Sequence, residues 1–203
     1  MASNHKIGGI LLSAGLSSRM HSHKALLSWG SESLIRYQVT TLLGAGVDEV
    51  IVVLGHDEEK LRAQIKDMDN VIGVTNQDYL EGKTTSLKVG VRIVEARDCS
   101  DVLILNVDQP RSPRVIKDII RFHLNNDKGI TIPRYNLRGG HPIIICKQYF
   151  SSIMSIKEET QGLKQVMSDF NQDIAYYDTT DSEILIDMNS EEQYISAKAF
   201  FEI

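Results

Sequence analysis

Residues 7–15 read Ile7-Gly8-Gly9-Ile10-Leu11-Leu12-Ser13-Ala14-Gly15, an apolar run that breaks directly into small residues. Hydrophobic residues without polar alternation over this length are typical of a parallel strand that is buried on both faces. Small residues after such a strand let a ligand contact the backbone, whose free N–H groups can form a concave anion site. Open α/β sheets bind nucleotides where a strand ends in such a loop. This stretch therefore predicts both the fold class and the place of the ligand.

The loop continues into hydroxyls and cations that suit a phosphate group. Ser17, Ser18, Arg19 and Lys24 follow shortly after Ser13. Together they favour a phosphate site over the alternative, an ordinary turn between a strand and a helix with solvated basic residues. The chain contains neither Gly-x-Gly-x-x-Gly nor Gly-x-x-x-x-Gly-Lys-Ser/Thr, so the motif is not one of the two common phosphate-binding fingerprints.

Length and composition are those of a globular protein. At 203 residues the chain can bury a sizeable core, and it predicts one domain over residues 1–203. The net charge of −5 argues against nucleic-acid binding. No apolar run has membrane-spanning length and no signal peptide is apparent, so we expect a cytoplasmic protein without a membrane partner. Cys99 and Cys146 match no zinc or redox spacing, which indicates free thiols.

Strand-like and helix-like patterns alternate along the chain, which predicts a mostly parallel sheet with helices on both faces. The first half has apolar strand patterns at residues 7–12, 50–54, 71–74 and 102–107. The second half is less regular, with short strands expected at 130–132, 143–145, 174–177 and 184–186. Helices are expected at residues 112–126 and 162–170 and after Ser190, which suits an N-cap.

An acidic residue follows the fourth apolar strand, in Val107-Asp108-Gln109-Pro110. An Asp at the carboxyl end of a central strand points into the crevice where the Ser13–Lys24 loop also ends. Beside a triphosphate such a carboxylate is useful as a ligand for Mg²⁺, which prefers one or two carboxylates together with phosphate oxygens and water. The alternative is that Asp108 caps the helix that begins near Ser112.

The opening stretch resembles the signature of the nucleotidyltransferases that act on molybdopterin. Their pattern is an apolar strand followed by Ala-Ala-Gly-x-Ser-x-Arg-Met-Gly-x-x-Lys-x-Leu-Leu. Here it reads Ser13-Ala14-Gly15-Leu16-Ser17-Ser18-Arg19-Met20-His21-Ser22-His23-Lys24-Ala25-Leu26-Leu27, with departures at Ser13 and His21. The resemblance implies a Rossmann-like three-layer α/β/α sandwich of the nucleotide-diphospho-sugar transferase type.

Four further motifs of that family follow in order along the chain. The family's Asn-x-x-Tyr-x-x-Gly-x-x-Thr-Ser is matched by residues 76–86, and its Gly-Asp-x-Pro is similar to residues 107–110, where Val107 replaces the Gly. Its Gly-His-Pro is similar to residues 140–142. Its C-terminal Asp-x-Asp-Thr-Pro is similar to residues 187–191, where the second metal-binding Asp becomes Asn189.

The resemblance implies transfer of CMP from CTP to molybdopterin, with release of pyrophosphate. Arg19, Lys24 and Asp108 would be catalytic, Asp108 and Asn189 would hold Mg²⁺, and His141 would contact the substrate. Nucleotide contacts are expected at Leu12, Ser13, Ala14, Gly15, Asn76, Gly82, Thr85 and Ser86. The implied partners are CTP or another NTP, molybdopterin, and a molybdenum hydroxylase apo-enzyme as recipient.

Two alternatives stay open. One is a nucleotidyltransferase that uses GTP, or a sugar or alditol phosphate acceptor; Ala14-Gly15 favours CTP by resemblance, whereas Ser13 weakens that preference. The other is a non-catalytic carrier of nucleotide or molybdopterin, which the loss of a carboxylate at Asn189 supports. Asp187 is the residue that could compensate for this loss.

Overall fold

The structure is a computed structural model that describes residues 5–16, 23–159 and 162–203. Its strands are β1 (Ile7–Ser13), β2 (Ser28–Trp29), β3 (Glu32–Ser33), β4 (Glu49–Leu54), β5 (Val71–Thr75), β6 (Asp101–Asn106), β7 (Ile130–Tyr135), β8 (Arg138–Gly139), β9 (Ile143–Cys146) and β10 (Ile174–Asp178). Its α-helices are α1 (Leu34–Gly44), α2 (Glu58–Ile65), α3 (Lys83–Ala96), α4 (Pro113–Leu124), α5 (Phe150–Ser155), α6 (Leu163–Asp169) and α7 (Glu191–Phe200).

The central sheet has the order β10-β7-β9-β6-β1-β4-β5, and β8 pairs with β7. Strands β1, β4, β5 and β6 are parallel, and β9 runs antiparallel to both β6 and β7. The chain adds β4 and β5 on one side of β1 and then crosses back to place β6 on the other side. The sheet order therefore reverses between β1 and β6, and ligands of open α/β sheets bind outside the carboxyl ends of the strands at such a point.

Helices cover both faces of the sheet and enclose two hydrophobic cores. Successive residues of the buried strands alternate between the cores: Leu103 and Leu105 of β6 belong to the first core, and Val102 and Ile104 to the second. Helices α1, α2, α4 and α7 contribute to the first core, and α3, α5 and α6 to the second. This arrangement confirms the predicted three-layer α/β/α sandwich with a mostly parallel sheet. Helices lie on both faces because the unbroken apolar strands need cover on both sides.

The less regular second half contains one wrong prediction. Residues 184–186 were expected to form a strand, but residues Ser182–Leu185 form a 3₁₀ helix. Short apolar runs do not distinguish a strand from a buried turn, and here Ile184 is fully buried against the first core without joining the sheet. The Ser112 and Ser190 side chains cap α4 and α7, so Asp108 is left uncommitted to a helix cap.

Within the described part of the chain, no helix combines the length and the apolar character needed to cross a membrane.

Candidate active site

A cleft of about 370 Å³ opens at the carboxyl ends of β1 and β6, where the sheet order reverses. Its walls come from five separated segments of the chain. The residues that line it are Leu12, Ser13, Ala14, Gly15, His23, Lys24, Tyr79, Gly82, Lys83, Ser86, Asn106, Val107, Asp108 and Asn189.

The end of β1 brings small residues to one wall of this cleft. The backbone N–H of Val107 donates to the Leu12 carbonyl at 3.0 Å, and that of His56 donates to the Ala14 carbonyl at 3.2 Å. A Cβ on Gly55 would lie 2.7 Å from the Ala14 carbonyl oxygen, so the two loops can approach this closely only with glycine there. The Ser13 side chain is 2% exposed, and its hydroxyl has no hydrogen bond within the described residues.

Lys24 joins the two sides of the cleft. Its ammonium donates to Asp108 Oδ2 at 2.7 Å and to Asn189 Oδ1 at 2.8 Å. Asp108 follows β6 and Asn189 precedes α7, and the two are connected also through the backbone, because Met188 N–H donates to the Asp108 carbonyl at 2.9 Å. The oxygens of Asp108 and Asn189 thus converge on one cation.

The turn that carries Asp108 is held by two glutamine side chains. Gln38 is fully buried on α1, and its amide donates to the carbonyls of Gln109 at 2.8 Å and Val107 at 3.3 Å. Gln109 Oε1 accepts from the Asn106 side-chain amide at 3.0 Å. Buried amides that satisfy several backbone groups make the turn rigid, so Asp108 projects from a fixed frame.

The C-terminal segment is anchored by Arg111, which is fully buried. Its guanidinium donates to four carbonyls, those of Pro110 (2.7 Å), His141 (2.9 Å), Ile184 (2.7 Å) and Ile186 (3.0 Å). Burial lowers the pKa of Arg111 to about 10, which still leaves it charged at neutral pH. The planar fork of donors suits several carbonyls at once, and it places residues 187–189 beside Asp108.

Asp187 lies beside this group of charges without lining the cleft. Its pKa is raised, first by partial desolvation of the carboxylate and then by the negative charge of Asp108. A hydrogen bond from the Asn189 side chain and the positive charges of Lys24 and Lys83 act in the opposite direction. The Asn189 amide therefore accepts from Lys24 and donates to Asp187, and it separates two carboxylates that repel each other.

The segment of residues 76–86 is held by Asn76, which is 2% exposed. The Asn76 amide donates to the hydroxyls of Thr85 and Ser86, each at 2.9 Å, and its oxygen accepts from the N–H of Asp78 at 3.1 Å. Gly82 has a φ of +118°, a conformation that favours glycine, and α3 begins directly after it. Asn76 thus fixes the N-terminus of α3, where Ser86 faces the cleft.

His141 does not line the cleft; it lies next to the Arg111 anchor, where the charges of the cleft residues Lys83 and Asp108 still act on its ring. Its carbonyl accepts from Arg111, and its N–H donates to the Ile184 carbonyl at 3.0 Å. Burial, reinforced by the charge of Arg111, lowers the pKa of its imidazole to about 4. The ring is therefore neutral at physiological pH.

The structure brings together most of the residues that the sequence predicted as a site. Leu12, Ser13, Ala14, Gly15, Lys24, Gly82, Ser86, Asp108 and Asn189 line the cleft. Asn76, Thr85 and His141 do not line it; Asn76 and Thr85 bond to each other behind its wall. Arg19 lies outside the described residues.

Sequence reasoning missed several residues of the site. Tyr79, Lys83 and His23 line the cleft, and Lys83 could have been found because it is a cation directly after Gly82. His23 Nδ1 accepts from the Ala25 N–H at 3.3 Å, and burial lowers the pKa of its ring. Arg111 had no local signal, since its four acceptors come from distant parts of the chain.

Two relatives match nearly the whole chain. Molybdenum cofactor cytidylyltransferase from Escherichia coli (strain K12) is 26% identical over 191 residues, which cover 93% of this chain and 94% of the relative. A probable molybdenum cofactor guanylyltransferase from Bacillus mycoides (strain KBAB4) is 22% identical over 202 residues, which cover 95% of this chain and 96% of the relative.

Solved structures share the fold. A nucleotidyl transferase from Methanothermobacter superimposes with a TM-score of 0.83 at 24% identity, covering 98% of this chain and 99% of that one. A Mycobacterium tuberculosis H37Rv protein in complex with manganese gives a TM-score of 0.73 at 18% identity, covering 96% of this chain and 98% of that one. Residues 9–175 match the MobA-like NTP transferase domain, and this range includes β6 and all but the first two residues of β1. The chain therefore belongs to the MobA-like NTP transferase domain family.

Proposed function

We propose that this nucleotidyltransferase transfers CMP from CTP to molybdopterin and releases pyrophosphate. The observation that carries the proposal is the convergence of Asp108 and Asn189 on the Lys24 ammonium, in the cleft that residues Ser13–Gly15 also line. A cation held between the two strand ends, beside backbone without bulky side chains, suits a bound triphosphate. The E. coli relative, which matches this chain over nearly its full length, supports the choice of CTP and acceptor.

The reaction needs no nucleophile from the protein. The terminal phosphate of molybdopterin attacks the α-phosphorus of CTP, a new P–O bond forms, and the bond from the α-phosphorus to the departing pyrophosphate breaks. Lys24 and Lys83 line the cleft and would stabilise the charge that grows on the leaving group. We propose the same role for Arg19.

The residues present fit a divalent cation. Asp108 supplies a carboxylate and Asn189 an amide oxygen, both hard oxygen ligands, and both already share one cation in the Lys24 ammonium. We propose Mg²⁺ as the ion, held by Asp108 and Asn189, with Asp187 next to them. When bound, Mg²⁺ supplies positive charge to the phosphate oxygens. Lys24 would then turn from Asp108 towards the phosphates.

We propose that the base is read by the Leu12–Ala14 wall. The Ser13 hydroxyl is buried and has no partner within the described chain, so it can both donate to and accept from the edge of a base. Gly82 and Ser86, at the start of α3, line the same cleft. Asn76 and Thr85 would act by holding Ser86 in place.

A second acceptable nucleotide is GTP, because the Bacillus mycoides relative carries the name of a guanylyltransferase and covers as much of the chain. An acceptor other than molybdopterin, or a carrier without catalysis, is a further alternative. The cation pair Lys24 and Lys83 argues against a carrier, because carrier binding needs no positive charge aimed at a leaving group.

The deciding experiment incubates the protein with each NTP in turn, with molybdopterin and Mg²⁺, and measures pyrophosphate and nucleotide-linked molybdopterin. We expect product with CTP and little with GTP. Equal kcat/KM values for CTP and GTP would contradict the choice of base. Pyrophosphate with sugar or alditol phosphates but not with molybdopterin would contradict the acceptor, and none with any acceptor would contradict catalysis. Lys66→Ala, which removes an exposed lysine on the surface, serves as the matched active control.

A further inference from the structure

A second group of polar side chains lies at the opposite end of β6 from the cleft. Asp101, His123 and Cys146 place an oxygen, a nitrogen and a sulfur within 4.8 Å of one another. Asp101 begins β6 and pairs with Cys146 at the end of β9, and His123 reaches them from α4. The strand from Asp101 to Asn106 spans about 16 Å, so this group is separate from the nucleotide cleft.

The orientation of the His123 ring restricts what the group can do. Its Nε2 lies 3.2 Å from Asp101 Oδ1 and 3.8 Å from Cys146 Sγ, and its Nδ1 lies 2.8 Å from Thr131 Oγ1. A Cys–His–Asp nucleophile would need the thiol and the carboxylate on different ring nitrogens, and here both face Nε2. A metal-binding histidine instead points one ring nitrogen at the metal and holds the other by a hydrogen bond. In His123 these would be Nε2 and Nδ1, respectively.

The separations also match a tetrahedral ion. Zinc bonds of about 2.0–2.3 Å to oxygen, nitrogen and sulfur imply ligand atoms about 3.3–3.6 Å apart. The observed 3.2 Å between His123 and Asp101 and 3.8 Å between His123 and Cys146 lie close to these values. A small shift of the side chains would therefore complete the geometry.

A buried oxygen is left without a hydrogen bond at this position. Asp101 is fully buried, and its Oδ2 forms no hydrogen bond of acceptable geometry within the described residues, although His5 Nδ1 is 2.6 Å away. His5 therefore covers this oxygen without satisfying it by an aligned hydrogen bond, and a lone pair of the carboxylate stays available to a metal ion. The Asp101 carboxylate and a Cys146 thiolate together would neutralise a divalent ion.

We propose that Asp101, His123 and Cys146 form a structural site for Zn²⁺, with the half-exposed His5 covering its solvent side. On binding, the Cys146 thiol releases its proton to solvent and a sulfur–metal bond forms. The ion would tie β6, α4 and β9 together at the end of the sheet that the nucleotide does not use. Zinc is favoured over Mg²⁺ because thiolate and imidazole are ligands that Mg²⁺ does not select.

The test uses Co²⁺ as a spectroscopic probe for zinc. Chelator-treated protein is titrated with Co²⁺, and we expect one equivalent to produce a thiolate-to-cobalt charge-transfer band that Zn²⁺ then abolishes. Cys146→Ser should lose this band, whereas Cys99→Ser should keep it. Cys99 is the matched control because it is a buried thiol whose Sγ contacts Glu49, and it is not a member of the Asp101, His123 and Cys146 group. Absence of the band from the wild type, or its loss in Cys99→Ser alone, would overturn the proposal.

A second measurement on the wild type does not depend on the folding of the variants. Zn²⁺ should slow alkylation of Cys146 at least tenfold in the native protein, as read by mass spectrometry of its peptide, and Mg²⁺ should not. Zn²⁺ should also raise Tm. Equal alkylation with and without Zn²⁺ would show that the three side chains form only a hydrogen-bonded network.

Discussion

The two ends of β6 both carry an aspartate, and the two are used differently. Asp108, just beyond the carboxyl end, faces a cleft of about 370 Å³ and pairs with the Lys24 ammonium. Asp101, at the amino end, is fully buried among His5, His123 and Cys146. Hydrogen bonds from His123 and Cys146 hold the pKa of Asp101 below its usual value, although burial alone would raise it.

Strand β9 also has one end near the cleft and the other near Asp101, because it runs antiparallel to β6. His141, before its start, lies near the cleft end, and Cys146, at its last residue, lies at the closed end. The difference shows that polar residues at strand ends do not by themselves mark an active site. What distinguishes the cleft is open volume together with the lysines that line it, Lys24 and Lys83.

The largest expected effect separates the two aspartates directly. Asp108→Asn should reduce kcat by at least about 10³-fold, because the carboxylate at the proposed metal position is lost. Asp101→Asn should leave kcat of the folded protein nearly unchanged but should lower stability by about 1–3 kcal/mol, since buried hydrogen bonds are lost. Initial rates and urea unfolding of both variants check this. A large loss of kcat in Asp101→Asn with normal folding would refute the separation.

Removal of the cleft cation is expected to cost slightly less. Lys24→Ala should lower kcat by about 10²–10³-fold without unfolding the protein, as loss of one contact to developing charge does. Arg19→Ala should have a similar effect. Pyrophosphate release at saturating CTP is the measurement, with the exposed Lys66→Ala as control. Near-normal rates in both Lys24→Ala and Arg19→Ala would mean that the leaving group lies elsewhere.

The next effect concerns pH and the cleft end of β9. Because the pKa of His141 falls to about 4 in the folded protein, the unfolded chain binds more protons between pH 6.5 and 4. The contribution of His141 to the free energy of unfolding is complete above pH 6.5. It declines as the pH falls towards 4, by about 3 kcal/mol in total. Urea unfolding at several pH values should give a flatter dependence for His141→Gln. The control, His56→Gln at a half-exposed histidine, should keep the wild-type slope.

The smallest effect is expected at Asn189. Asn189→Asp adds a carboxylate beside Asp108 and should lower the Mg²⁺ concentration for half-maximal rate several-fold, since Mg²⁺ prefers charged oxygen ligands. Asp187→Ala should shift the same curve much less. A Mg²⁺ titration of initial rates compares wild type with both variants. If only Asp187→Ala moves the curve, the second ligand is Asp187 and our assignment to Asn189 is wrong.

Sequence reasoning succeeded where a pattern is local. The unbroken apolar runs of β1, β4 and β6 predicted the parallel sheet, and the small residues after β1 predicted a wall of the cleft. It failed at residues 184–186, where an apolar run that looks like a strand packs as a 3₁₀ helix. Helix α5 also went unpredicted, since six residues carry too little periodicity.

Parts of the site that depend on distant contacts could not be predicted. The spacing of the cysteines gave no hint of the Asp101, His123 and Cys146 group, because these residues meet only through the pairing of β6 with β9 and the packing of α4. Likewise, the spacing of Asn76 gave no sign that its amide bonds to Thr85 and Ser86. The type of a residue shows which hydrogen bonds its side chain can form, but its partners depend on how distant parts of the chain pack.

Arg111 attaches the C-terminal segment to the rest of the molecule. The matched family domain ends at residue 175, yet Asn189 in the cleft belongs to the segment beyond it. One buried guanidinium binds the carbonyls of Pro110, His141, Ile184 and Ile186. If the C-terminal segment detached, this buried charge would lose the Ile184 and Ile186 carbonyls, which is costly in free energy. The backbone amides of this segment should therefore exchange with deuterium as slowly as those that follow β6, as one cooperative unit.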